Sequence, residues 1–316
     1  MKTSPCFIKI SSLSLLAIAL MVVPQLSAAE WGGGVGDWVS DNWGLPNGGS
    51  PGDSANPREV AILSTDGTVV IKAGDTINLV NEGDLRSTLT VSEVNQTGGD
   101  FITTQRLSCQ TNFTVSGGNF TSTDGELRVQ AGGAFNFTGG TVEAGGIRFS
   151  GGVGSVNISG GQVHIQQIQM GNDANITGSV TITGSKISEL ESQNLGFANQ
   201  GGSATSTVNF FFDADGVTSW KTTGGSGVSL GIGDHAANLS VDVSARPGDG
   251  KTGVELFSYI AKRTELSGTF GEVTITDATY GTLTLGTDGA LKPGQYFLDY
   301  GELGNTNITL FYNTTR

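Results

Sequence analysis

Arg106, Arg128, Arg148 and Gln169 follow one another at intervals of 22, 20 and 21 residues. Arginine presents a planar, permanently charged fork that matches a carboxylate bidentately, so three in a row could bind an acidic polymer. The plainer reading of the same row is a solvated ladder neutralised by Glu126 and other nearby acids. Acid–base catalysis would need something different: clustered carboxylates, with a lysine, arginine or histidine as base. Between residues 94 and 187 the acids considered are Asp100, Asp124, Glu126, Glu143 and Asp173, which look scattered, and His164 looks solitary beside Val163. No catalytic site and no enzyme activity are expected from them.

Metal chemistry finds no complete ligand set in the sequence. Asp213-Ala214-Asp215-Gly216 has the start of a Ca²⁺ loop but lacks the further acidic ligands and the distal glutamate. Residues 151–159 (GGVGSVNIS) have the glycines of a Ca²⁺-binding roll, with Val156 where that roll needs an aspartate. No metal and no cofactor are therefore expected. Trp31, Trp38 and Trp43 lie close together and could stack on sugars, although covering an open apolar end is the simpler role. Cys109 follows Leu107 at strand spacing, which suits a small buried thiol. Nine Asn-x-Ser/Thr triplets occur, but several arise where a repeated Asn meets the Ser/Thr before a glycine, so they say little about glycosylation.

The elements that must position these residues are set by a repeat. Five segments share the order apolar, polar, apolar, Ser/Thr, Gly, Gly/Ser, any residue, apolar: VNQTGGDF (94–101), FTVSGGNF (113–120), FNFTGGTV (135–142), VNISGGQV (156–163) and VTITGSKI (180–187). Side chains alternate faces along a strand. One apolar column is thus Val94, Phe113, Phe135, Val156 and Val180. A second is Gln96, Val115, Phe137, Ile158 and Ile182, with Gln96 the departure. Between them, Asn95, Thr114, Asn136, Asn157 and Thr181 must face the other way. The glycines make a corner, and Phe101, Phe120, Val142, Val163 and Ile187 form a third apolar column beyond it. Leu127-Arg128-Val129, Ile147-Arg148-Phe149 and Ile168-Gln169-Met170 repeat as a further strand, with Arg106-Leu107 as its earlier copy. The predicted fold is all-β: a parallel β-solenoid, or β-helix, in which no single coil could bury its apolar face alone.

The predicted organisation is a leader at 1–29, an N-terminal cap at 30–56, the solenoid at 57–190 and a C-terminal β-rich region or cap at 191–316. Lys2 and Lys9, the apolar run 10–23, Pro24, and the small residues Ser27 and Ala29 read as a signal peptide cleaved after Ala29. No second apolar stretch approaches the ~18 residues of a membrane span. Loss of Lys2 and Lys9 takes the formal charge from −13 to −15, which disfavours nucleic acid and anionic membranes. Cys6 leaves with the leader, so no intramolecular disulfide can form and packing must hold the fold.

W-VSDNW at 38–43, PGDSA at 51–55, the F/N-[FI]-[ST]-G-G units and the stretches FFDADGV (211–217), VSLGIGDHAANLSVDVS (228–244), ELFSYI (255–260), SGTFGEVTI (267–275), LDYGE (298–302) and NITL (307–310) carry a likeness. On these the chain resembles secreted bacterial repeat proteins with autotransporter-type passenger β-helix repeats, some of which bear a PEP-CTERM sorting tail. It departs from their larger members in lacking a Pro-Glu-Pro tail and the strands of a translocator barrel. The resemblance implies an exported β-helix, secreted or at the cell surface, with no catalytic residues to carry over. A non-catalytic structural or adhesive protein is expected, contacting surface glycans, matrix or other copies of itself. The alternatives are a glycan-binding module using the arginine stripe on an acidic polysaccharide, and a polysaccharide lyase or glycoside hydrolase.

Overall fold

The computed structural model describes residues 28–30, 34–39, 43, 49, 60–62, 67–79, 88–104, 106–150, 152–170, 177–197, 206–224, 230–234, 237–246, 251–259, 266–301 and 307–315. The chain is all-β there, with no helix among the described residues and therefore none long and apolar enough to cross a membrane. Trp31 and the leader up to Ser27 lie outside the described residues.

The strands join one sheet, and most pairings are parallel. The repeat columns are its register. Val69, Val94, Phe113, Phe135, Val156 and Val180 pair in succession. Ile71, Gln96, Val115, Phe137, Ile158 and Ile182 do the same two residues on, and all twelve side chains are buried. Parallel pairing of like with like stacks each apolar side chain on its counterparts above and below, about 4.8 Å away.

Gln96, the polar member of its column, is wholly buried. Its Nε2 donates to the carbonyls of Asn119 at 2.9 Å and Gly99 at 3.3 Å. It therefore tethers the corner of its own rung to the next one and meets part of the need of a buried amide.

The parallel stack does not stop at residue 190. Thr177–Thr183 pairs with Ser206–Phe211, which pairs with Ala237–Asp242, which pairs with Val273–Asp277. Val208, Leu239 and Val273 continue the first column, and Phe210, Val241 and Ile275 the second. These later rungs keep the alternation but drop the Gly-Gly corner. The sequence change near 190 therefore marks a change of corner rather than of architecture. Antiparallel pairing appears after that, where Asn307–Asn313 lies between Lys251–Ser258 and Gln295–Asp299.

One column differs from its expected composition. Val163 is paired by Leu190, and Ile187 falls opposite Gly161, because the register shifts between Ile187 and Glu189. The corner Gly184-Ser185-Lys186 is longer, so the residue that stacks on Val163 is Leu190, three positions after Ile187, which is buried as well.

Trp38 and Trp43 are buried, 4.9 Å apart between ring centroids, with Trp38 edge-on to Phe101 at 5.4 Å. That places them in the core rather than on a sugar-stacking platform. Cys109 is also buried, with its Sγ donating to the Ala134 carbonyl at 3.3 Å. Burial pushes its pKa up to about 12, so the thiol stays protonated and inert.

Candidate functional site

Two polar clusters stand on the outward face of the stack. The first holds the arginines. Arg128, Arg148 and Gln169 form a register column, as their spacing predicts. Arg106 does not belong to it. The Gln130 N–H donates to the Cys109 carbonyl at 3.0 Å, and the Gln130 side chain donates to Ser108 Oγ at 2.8 Å. This pairing sets Ser108 beside Arg128 and Arg106 beside Glu126. Arg106 precedes its buried leucine whereas Arg128 follows Leu127, so the two sit two positions apart along the strand.

The offset gathers the charges instead of spreading them. Arg106 Nε, Arg128 Nε and Arg148 Nη1 lie 3.4, 2.7 and 3.5 Å from the one carboxylate of Glu126. Burial pushes the Glu126 carboxyl upward, but its hydrogen bond from Arg128 and the charges of Arg128, Arg148 and Arg106 outweigh that and hold it below the usual carboxylate range. One acid among three guanidinium groups leaves two local positive charges on an acidic protein.

This depressed carboxyl has a consequence for pH. A carboxyl that titrates lower in the folded than the unfolded chain contributes stability above the ordinary glutamate value, about 4.3. That contribution fades as pH falls through the depressed value. Glu126→Gln is therefore expected to be less stable than the parent near neutrality, with the gap closing as pH falls below the ordinary glutamate value, about 4.3. Urea unfolding of both proteins from neutral pH downward checks it. A gap that stays constant would mean that Glu126 is not the ionised partner.

The second cluster was not legible in the sequence. Glu143 and His164 are paired in register, His164 is paired in register with Glu191, and Glu191 with Lys221. His164 is thus not solitary. It is the centre of an outward column on which the corner turn at 184–186 sets Glu191, an acid that lies beyond the last regular repeat. His164 Nδ1 lies 3.0 Å from Glu143 Oε1, and Nε2 lies 3.3 Å from Glu189 Oε2. Gln162 Nε2 donates to the same Glu189 oxygen at 2.5 Å, and Lys221 pairs with Glu191. Burial pushes the His164 pKa down, but Glu143 and Glu189 outweigh it and hold the ring above its ordinary value. The hydrogen bond from Gln162, then the contact and charge of His164 and the charge of Lys221, hold the Glu189 carboxyl low against a little burial. Beside the column, Glu143, Gly145, His164, Gln166, Glu191 and Gln193 help to line a cavity of about 250 Å³.

The Asp213 segment is a turn. Asp213 Oδ2 accepts from Ser185 N–H at 2.8 Å and Ser185 Oγ at 2.9 Å, while Oδ1 accepts from Asp215 N–H at 2.9 Å and Gly216 N–H at 3.0 Å. Oδ2 thus ties the turn to the corner of the preceding rung, while Oδ1 closes the turn itself. In the segment 151–159, Val156 points into the core.

No family model, no curated protein and no solved structure matches the chain. Its function is therefore argued from its own residues.

Proposed function

We propose that the chain is an exported, non-catalytic parallel β-solenoid that acts as a structural or adhesive surface protein and holds acidic polysaccharide through its arginine cluster. The solenoid reading rests on two residue columns that stay paired in parallel from Gly67–Ile71 to Val273–Asp277. The antiparallel strands after it serve as its C-terminal cover. Export rests on the leader, cleaved after Ala29. That cut falls inside the short strand Ala28–Glu30, whose pairing with Val60–Ile62 then keeps only Glu30.

The observation that carries the ligand class is the convergence of Arg106, Arg128 and Arg148 on Glu126. The arginines are partly exposed, with Arg148 the most open at 41%. They hold one another's spacing through a shared carboxylate, so little side-chain order remains to be imposed by a ligand. A carboxylate-bearing polymer lying along the stack would meet Arg128 and Arg148 on successive rungs.

The test is a panel of acidic and neutral polysaccharides, measured for retention and for product release. Acidic chains are expected to bind in a salt-sensitive way, with each of Arg128→Ala and Arg148→Ala weakening retention about tenfold, the worth of one charge-assisted hydrogen bond. Equal retention of neutral chains, or retention indifferent to both substitutions, would remove the arginines from the reading. Release of unsaturated or reducing sugars would overturn its non-catalytic part.

A further inference from the structure

We propose that His164, Glu189 and Glu191 form a binding site for a divalent transition-metal ion of the Zn²⁺ class, with Glu143 as the residue that positions the histidine. The reading is independent of the arginine cluster.

Three observations converge. One ligand atom from each of His164, Glu189 and Glu191 lies within 4.8 Å of the others, on two adjacent rungs whose backbones are hydrogen-bonded in register. A metal at 2.0–2.2 Å from each would draw these atoms together by rotation of partly exposed side chains, without moving the sheet.

The second is the orientation of the imidazole. Glu143 accepts at Nδ1, which directs Nε2 toward the other two carboxylates. Nε2 is screened from solvent and faces Glu189 Oε2 at 3.3 Å. With Nδ1 engaged by Glu143, Nε2 is the ring nitrogen left on the side of Glu189 and Glu191, where a metal would displace its proton. A carboxylate on one ring nitrogen and a metal on the other is the usual arrangement at zinc centres.

The third is charge. Glu143, Glu189 and Glu191 face His164, and Lys221 is the cation paired with Glu191. Three carboxylates against one ammonium leave the cluster net negative whether or not the ring carries a proton, which favours a cation there.

An imidazole nitrogen with two carboxylates favours zinc, cobalt or manganese over calcium, which prefers oxygen ligands alone. The three donors leave a coordination position open beside the cavity of about 250 Å³. Lys221 is the built-in competitor, because its ammonium occupies a lone pair of Glu191 that the metal would use.

The purified chain, stripped with EDTA and dialysed, is titrated calorimetrically with Zn²⁺ near neutral pH, and with Co²⁺ while visible absorption is followed. One equivalent of Zn²⁺ is expected to bind, and Co²⁺ to develop the intense bands of a low-coordinate site. His164→Ala and the isosteric Glu191→Gln are each expected to abolish saturable binding while leaving the far-ultraviolet circular dichroism unchanged. Glu143→Gln is expected to weaken it about 10–100-fold, as loss of a histidine-orienting carboxylate does. Lys221→Met should tighten it, a direction that no loss of structure would mimic. Absence of one-equivalent binding overturns the proposal, as does binding that survives either His164→Ala or Glu191→Gln.

Discussion

Truncating Phe137 to alanine is expected to cost about 3–5 kcal/mol of folding stability. Its ring is fully buried and meets material on three sides. Val115 stands in the rung before, Ile158 in the rung after, and Phe135 lies 6.2 Å away between centroids in its own rung. A cavity left there can collapse only if two neighbouring rungs shift together, and their backbone ladders resist that. Phe135→Ala should fall in the same range, because Phe135 continues an aromatic stack through Phe113 to Phe101. Asn136 lies between them on the outward face. It accepts from Asn157 Nδ2 at 2.8 Å and donates weakly to Thr114 Oγ1 at 3.4 Å. Asn136→Thr keeps a side-chain oxygen and introduces a β-branched strand former, so its cost should stay below about 1 kcal/mol. Urea unfolding of the three single variants measures the order. An Asn136→Thr variant as damaged as Phe137→Ala would mean that the assigned faces, and with them the register, are wrong.

The faces of Phe135, Asn136 and Phe137 were legible in the sequence because like residues recur at the same place in five segments. Alternation with period two, locked to a glycine corner, leaves one consistent register. Where either signal lapses, legibility fails for a physical reason. The rungs at Val208, Leu239 and Val273 keep the alternation but turn without paired glycines, so they read as a different region although they continue the columns. Arg106 lies on the other side of its buried leucine from Arg128, and the ladder bond from Gln130 to Cys109 fixes that offset in space.

The His164 cluster shows the same limit more sharply. Glu143 and His164 are 21 residues apart, which is the repeat, but His164 and Glu191 are 27 apart. The longer interval hides their pairing until the corner at Gly184-Ser185-Lys186 is placed in space. A column assembled across an irregular corner shows only part of itself at the repeat interval. The arginines and Glu126 as their neutralising acid were legible in the sequence, but their convergence on that one carboxylate was not, because it depends on side-chain directions that spacing does not give.

Substituting Gly140 by alanine is expected to be among the most damaging single changes in the chain, costing more than about 4 kcal/mol. Two effects combine at this corner. The backbone is left-handed there, with φ +73°, which costs an alanine about 1–2 kcal/mol by itself. In addition, a Cβ at Gly140 would lie 2.5 Å from the Gly118 carbonyl oxygen and 2.9 Å from the Gly117 carbonyl carbon, atoms of the preceding rung. Neither is the end of a flexible side chain, so the methyl could be accommodated only by separating two rungs at a point where their ladder holds them together. Gly132 isolates the first effect from the second. Its φ is +81°, and a Cβ there would meet nothing within 4 Å. Gly132→Ala should therefore cost only the conformational part, about 1–2 kcal/mol. The comparison needs just two purified variants and their urea midpoints. Because both glycines share the same backbone sign, the difference between them measures how hard successive rungs press on one another at the corner. Equal losses would show that the glycine pair is kept for its dihedral angles alone, and that the rungs are not in contact at that turn.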